Sequence, residues 1–209
     1  MLGALAYVAF VLWPRQLADV PPETPSVPIT VAGVAFNVPP AAIRVPLQRR
    51  PGAQERIDLV FMWPSFEPPD PKQPAMEKNF PADELQPIDR LFVTIHGNDG
   101  TLPPIERVKA IYPRYFTGDP QVDVAGLIAR RFADTSPYKD EDLIFDPAAP
   151  QRFVVRCNRP AATPGMCLLE RRIGAADIIV RFPRDWLFQW QDLAEGVDRL
   201  IASLRPVGR

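Results

Sequence analysis

Proline interrupts this chain almost everywhere: 27 of its 209 residues are proline, about 13% where roughly 5% is usual. Each one removes a backbone donor and fixes φ, so a helix or central strand cannot run through it. The prolines are spread along the chain between apolar runs and do not form a single low-complexity tract. They read as loop punctuation in a strand-rich domain, which disfavours helical solenoids and long bundles. No internal repeat is visible. The length suits one sizeable domain, and a hydrophobic fraction of 46% is enough for a proper core without help from metals.

Charge excludes one class of partner. The formal net charge is -1, with no long single-sign run, so nothing resembles the concentrated basic surface that nucleic acid demands. The doublets Arg49-Arg50, Arg130-Arg131 and Arg171-Arg172 are either solvated flanks of strands or, if they converge, an anion site.

The first residues, "MLGALAYVAFVLWPR", carry an uninterrupted apolar run from Leu2 to Trp13. As a helix it would extend roughly 18 Å, short of the ~30 Å hydrocarbon core. It lacks a basic n-region and a small-x-small cleavage site, and it ends on Trp13 and Arg15, residues suited to a bilayer interface. We expect residues 1–14 to be a membrane anchor whose N-terminal end is incomplete as given, contacting lipid. A buried core helix and a cleaved signal are the competing readings. Residues 15–28, with Pro14 just before and Pro21, Pro22, Pro25 and Pro28 within, form a Pro-rich spacer of about 3.1 Å per residue. The folded domain is then 29–206.

Within that domain, Ile29–Val31 and Val34–Val38 read as a hairpin about Gly33. In "ERIDLVFMWPS", Ile57, Leu59, Phe61 and Trp63 alternate on one face, and Val60 and Met62 make the other apolar too, predicting a central strand. "DRLFVTIHG", "GLIARRFAD", "DLIFD" and "RFVVRC" are further strands, and "MCLLERRIGAADIIVRF" is two strands around Gly174. Thr101 is placed to cap a short helix carrying Ile105, Val108 and Ile111 until Pro113 stops it. The segment 183–205 predicts a long amphipathic helix with Leu187, Trp190, Leu193, Val197, Leu200, Ile201 and Leu204 on one stripe. Gly196 inside it costs helix propensity and allows a close approach to the sheet. The whole predicts an α+β fold: a mainly antiparallel sheet, a short mid-chain helix, and a long C-terminal helix packed on one face, preceded by the apolar anchor helix.

Two cysteines, Cys157 and Cys167, end one predicted strand and begin the next across a Pro- and Gly-containing loop. Neighbouring antiparallel strands bring Cα atoms within the range a disulfide needs. A metal site needs about four ligands, and one histidine with two cysteines does not supply them; a redox couple usually has Cys-x-x-Cys spacing. A structural disulfide is favoured over two buried thiols, and it points to an oxidising compartment such as a periplasm or cell exterior. No metal or cofactor is implied.

Only "VTIHGNDG" tempts a catalytic reading, with His96 as a general base and Asp99 as its orienting carboxylate. The nucleophile would have to come from Ser65, Thr94, Thr101, Ser136 or Ser203, none of which lies in a Gly-x-Ser-x-Gly elbow. Gly, Asn and Asp in that order are also ordinary turn chemistry. The acidic groups Asp83-Glu84 and Asp140-Glu141-Asp142 lack calcium-loop spacing. Trp63, Trp186 and Trp190 fit core periodicity better than a ligand groove. The sequence therefore predicts a membrane-anchored extracytoplasmic domain that binds and does not catalyse: an accessory subunit, or an inhibitor or immunity-type protein, with a protein partner. Its expected contact surfaces are the loop 66–87 and the turn 97–104. The alternatives are an envelope hydrolase centred on His96, or a cytoplasmic protein with reduced cysteines.

Overall fold

The computed structural model describes residues 25–70, 88–159 and 165–206. The expected anchor over 1–14 lies outside them, as do most of the spacer and of the loop 66–87. Among the described residues no helix is long and apolar enough to cross a membrane.

The chain forms the expected α+β fold. Strands β1 (Val27–Val31) and β2 (Val34–Val38) are the predicted hairpin, turned by Ala32 and Gly33 at φ 49° and 79°. Two successive left-handed residues match the strand twist, which is why glycine is wanted there. A short strand, β3 (Gly52–Gln54), adds to β1 in parallel and makes a three-stranded sheet. It is the one departure from antiparallel pairing among the described strands.

The main sheet contains β4 (Arg56–Met62), β5 (Arg90–Gly97), β6 (Phe116–Val122), β7 (Ile128–Phe132), β8 (Glu141–Phe145), β9 (Val154–Asn158), β10 (Met166–Ile173) and β11 (Ala176–Pro183). Their spatial order is β4-β5-β11-β10-β9-β8-β7-β6. From β6 to β11 the chain meanders, each strand pairing with the next, and β11 then closes against β5. Getting from β5 to β6 means crossing six strand spacings, roughly 29 Å at ~4.8 Å each. Helix α1 (Pro104–Ala110) lies on that crossing, on the outer face, where its Arg107 reaches Glu170 of β10 at 2.9 Å.

The inner face carries the core. Ile57, Leu59, Val93, Ile95, Ile178, Val180, Leu169 and Val155 alternate inward and join β1 and β2 residues and helix α2 (Trp190–Ser203) in one cluster. All seven residues of the predicted helical stripe are buried in it. Burial of each large side chain contributes about 1.5–3 kcal/mol before entropy is subtracted. A smaller cluster on the outer face, Tyr112, Phe132, Leu143 and Val154, packs beside α1.

Three local expectations need correction. First, β4 is an edge strand. The segment before it folds back along that edge, with Arg44 N–H donating to Asp58 O at 2.9 Å and an Ile43–Leu59 bridge, while its outer face is buried only at Val60. Second, α1 starts after Pro103 with no side-chain cap; the Thr101 carbonyl is instead taken by Arg172 Nη1 at 2.9 Å. Third, α2 begins only at Trp190, since Arg184–Gln189 forms a 3-10 stretch. Two further strands, β3 and β6, are not announced by any alternation: β6 is almost wholly exposed, contains Pro120 and bulges between Thr117 and Gln121, as a sheet edge should.

Gly196 does permit a close approach, but to an aromatic ring and not to a strand. A Cβ there would overlap the Phe66 ring. Phe66 holds an uncommon left-handed φ of 59°, supported by its N–H bond to Met62 O at 2.7 Å. Its ring meets Trp63 edge-on, and Trp63 stacks on Trp186 with centroids 4.8 Å apart. The tryptophans are thus packing residues, as their periodicity predicts. Gly196→Ala gains about 1 kcal/mol of helix propensity but overpacks the ring at a cost of about 1–3 kcal/mol. We expect a net loss of stability by chemical denaturation, reversing to a gain in a Phe66→Ala background. A more stable single variant would disprove the clamp.

Candidate functional site

Cys157 and Cys167 face each other directly across β9 and β10. Their Cα atoms lie 4.0 Å apart, slightly closer than the usual span for a disulfide, and the two sulfurs are bonded. Both residues are fully buried. The bond sits in the inner core, sealed from reagents, so its role is structural.

His96 lies at the end of β5, half-buried, on the outer face. Its neighbours by register are Arg56 on β4 and Asp177 on β11. Nδ1 is 2.7 Å from Gly97 O; a carbonyl only accepts, so Nδ1 carries the proton and Nε2 is the free nitrogen. Asp99 does not orient it. Its Oδ1 accepts from Thr101 N–H at 3.2 Å, and bonds from the Thr101 hydroxyl and N–H hold the Asp99 carboxyl below the usual carboxylate range. Asn98 Oδ1 accepts from Gly100 N–H at 2.7 Å, and Gly100 has φ 84°. The segment is built as a turn.

Of the five candidate nucleophiles, Ser65 and Ser136 accept from backbone N–H groups two residues on, and Ser203 donates to Leu200 O. Thr94 donates to Asp58 Oδ1 at 3.0 Å. Thr101 alone of the five shares a cleft with His96, a polar cavity of about 250 Å3 bordered by Asp99, Arg107, Glu170 and Asp177. Two ion pairs already lie in it: Arg172 grips Asp177 at 2.5 and 2.7 Å, and Arg107 holds Glu170. The Asp177 pairing also occupies the carboxylate opposite His96. On the other side of His96 lies a broad hollow of about 600 Å3 between the β1–β2 turn and the β3–β4 junction, bordered by small residues such as Ala32, Gly33 and Ala53 and by polar Thr30, Gln54 and Glu55.

The basic doublets do not converge. Arg49 binds Ile43 O, Arg131 meets Asp134, Arg171 binds Arg152 O and lies near Asp198, and Arg172 takes Asp177. Glu141 and Asp142 are ion-paired with Arg156, Arg159 and Arg184. Among the described residues no group of three metal-ligating side chains is assembled. Asp83 and Glu84 fall outside those residues.

What the sequence does not reveal is the ordering of outer-face charge into cross-strand pairs. Alternation gives the face of each residue, but the partner depends on register between strands distant in sequence. Asp58 is the clearest case. It accepts from Arg56 at 2.7 Å, Thr94 at 3.0 Å and Gln48 at 3.2 Å. Desolvation pushes its carboxyl up, but the bonds from Arg56, Gln48 and Thr94 outweigh it and hold the carboxyl below the ordinary value. A folded-state pKa below the unfolded one stabilises above the unfolded value and is lost as pH falls through the folded one. Asp58→Asn should therefore cost about 1.5 kcal/mol at pH 7, the low end for hydrogen bonds to a charged group. The gap to the parent protein should close on acidification below pH ~4. Denaturation midpoints between pH 3 and 7 test this, and a gap that does not change with pH refutes it.

No protein-family model matches the chain, and no curated protein matches it. Among solved structures it is similar to Smlt3025, an immunity protein of the Stenotrophomonas maltophilia type IV secretion system. The TM-score is 0.56 at 14% identity, covering 88% of this chain and 94% of that one. At that identity the two proteins share a fold.

Proposed function

We propose that this chain is a binding protein of the inhibitor or immunity type, which works by occupying a protein partner such as a toxin. The observation that carries this reading is the shared fold over 88% of the chain with a protein described as an immunity protein. The geometry around His96 favours it over the hydrolase reading, because the histidine faces an ion-paired carboxylate and a turn whose acceptors are already used.

Residues 1–14 anchor the chain in the cell membrane, and the domain faces the periplasm or exterior as part of the envelope. The sealed disulfide fits that compartment. The turn 97–104 and the loop 66–87 are the surfaces offered to the partner.

Competition between sibling strains tests the reading. A strain lacking the gene should be outcompeted by its parent, and a copy carrying His96→Ala should restore parity. A neutral deletion removes the immunity reading; failure of the His96→Ala copy, with its fold intact, turns the assignment towards catalysis. Fractionation provides a separate check on location. The parent chain should be in the membrane fraction with both cysteines protected from alkylation until reduced. Deleting the first fifteen residues should release it. Freely alkylated thiols or an unchanged distribution would overturn the placement.

A further inference from the structure

The crossing segment covers the outer face unevenly. Helix α1 reaches across towards β10, where Arg107 meets Glu170, and none of its residues is fully buried. Between α1 and the last three strands of the sheet an apolar hollow of about 550 Å3 remains open. Leu143, Phe145 and Phe116 form its floor, with Ile105 and Val108 of α1 as a wall. Such a hollow accommodates one or two large side chains.

Its rim is basic, with Arg130 lacking a carboxylate among the described residues and Lys109 only loosely paired with Glu106. Arg130 lies directly across from Leu143 in register, with its guanidinium 4.7 Å over the Phe116 ring. It has no carboxylate partner among the described residues; its one hydrogen bond is a 3.5 Å contact to Gly118 O, and its Nε is buried without an acceptor. Lys109 stands beside it on α1, two-thirds exposed and only 3.6 Å from an equally loose Glu106. Arg107 and Arg156 share the buried Nε without an acceptor but differ in their ion pairs. Arg107, Arg156 and Arg172 each hold a carboxylate at 2.9 Å or less. An arginine stacked on an aromatic, at the edge of an apolar pocket and still lacking an anion, has the composition of an interface hot spot.

We propose that this hollow is a docking surface for a protein partner, taking an apolar side chain of the partner into the pocket and an adjacent Asp or Glu onto Arg130 and Lys109. The charge complementarity selects an acidic segment. The surface is continuous with the end of the 97–104 turn, since Ile105 of its wall directly follows that turn. The inference rests on the binding reading above and specifies the chemistry of the partner.

Two photoreactive peptides test it on the full chain: acetyl-Glu-photoleucine-Trp-Glu-amide and its Lys-flanked twin, with attachment sites mapped by mass spectrometry. The acidic peptide should label α1 and β6–β8 at least fivefold more than the basic twin. Arg130→Gln should bring the two near parity, and Lys109→Gln, at a side chain two-thirds exposed on α1, should do the same. Equal labelling by the twins in the parent protein, or labelling spread over other faces, overturns the docking surface. The same variants belong in the competition assay. If they protect as well as the parent, the docking surface fails and the immunity reading stands. If deleting the gene is neutral while the acidic peptide still labels the hollow selectively, the immunity reading fails and the acidic docking surface stands.

Discussion

The pairing of β11 with β5 is the constraint on which the rest of this structure depends. It joins two stretches of chain far apart in sequence, with Ile178 opposite Ile95 and Val180 opposite Val93. Without it the β4–β5 hairpin and the β6–β11 meander would be separate sheets with separate half-cores. With it, one inner face receives apolar residues from both, and α2 can lie across them. Closing such a non-local contact costs loop entropy that only burial can offset, which is why the residues at the seam are among the most completely buried.

The same seam dictates what happens on the outer face. Because β5 is next to β11, the chain must travel across the sheet to begin β6, and α1 is the part of that path which can carry apolar residues back onto the strands. A seven-residue helix is too short to cover an eight-stranded sheet. The uncovered strands therefore carry polar residues, arranged as arginine–carboxylate pairs: Arg56 with Asp58, Arg172 with Asp177, Arg156 with Glu141. These pairs explain why His96 has an unpromising setting for catalysis, since the carboxylate opposite it is already committed. They also make the lack of an anion at Arg130 informative.

Inner-face stability has two further sources that do not depend on the seam. The disulfide ties β9 to β10 within the core, limiting the unfolded ensemble by about 2.5–3 kcal/mol on the chain-entropy model. The contact of Phe66 with Gly196, backed by Trp63 and Trp186, ties the end of β4 to the middle of α2. The first ties two central strands together, and the second fixes the β4 edge relative to the helix.

Much of this was legible from the chain alone. Period-two alternation identified β4, β5 and the β10–β11 hairpin, because each buries one face and a slip of one residue would expose it. The 3.6-residue stripe identified α2, and the spacing of two cysteines about a Pro- and Gly-containing loop identified their bond. The turn role of "GNDG" also followed from residue chemistry, since its hydrogen bonds are local. Strands β3 and β6 were not legible, because edge strands in contact with solvent have no hydrophobic period to read. Nor was the edge position of β4, whose Val60 and Met62 give its second face the apolar look of a central strand. Only the tertiary structure decided which charges pair, that Arg130 is left beside the hollow without a carboxylate among the described residues, and where the outer face stays open. Those outcomes depend on the register between neighbouring strands and on the path of the crossing segment, and residue order within a strand does not encode the strand beside it.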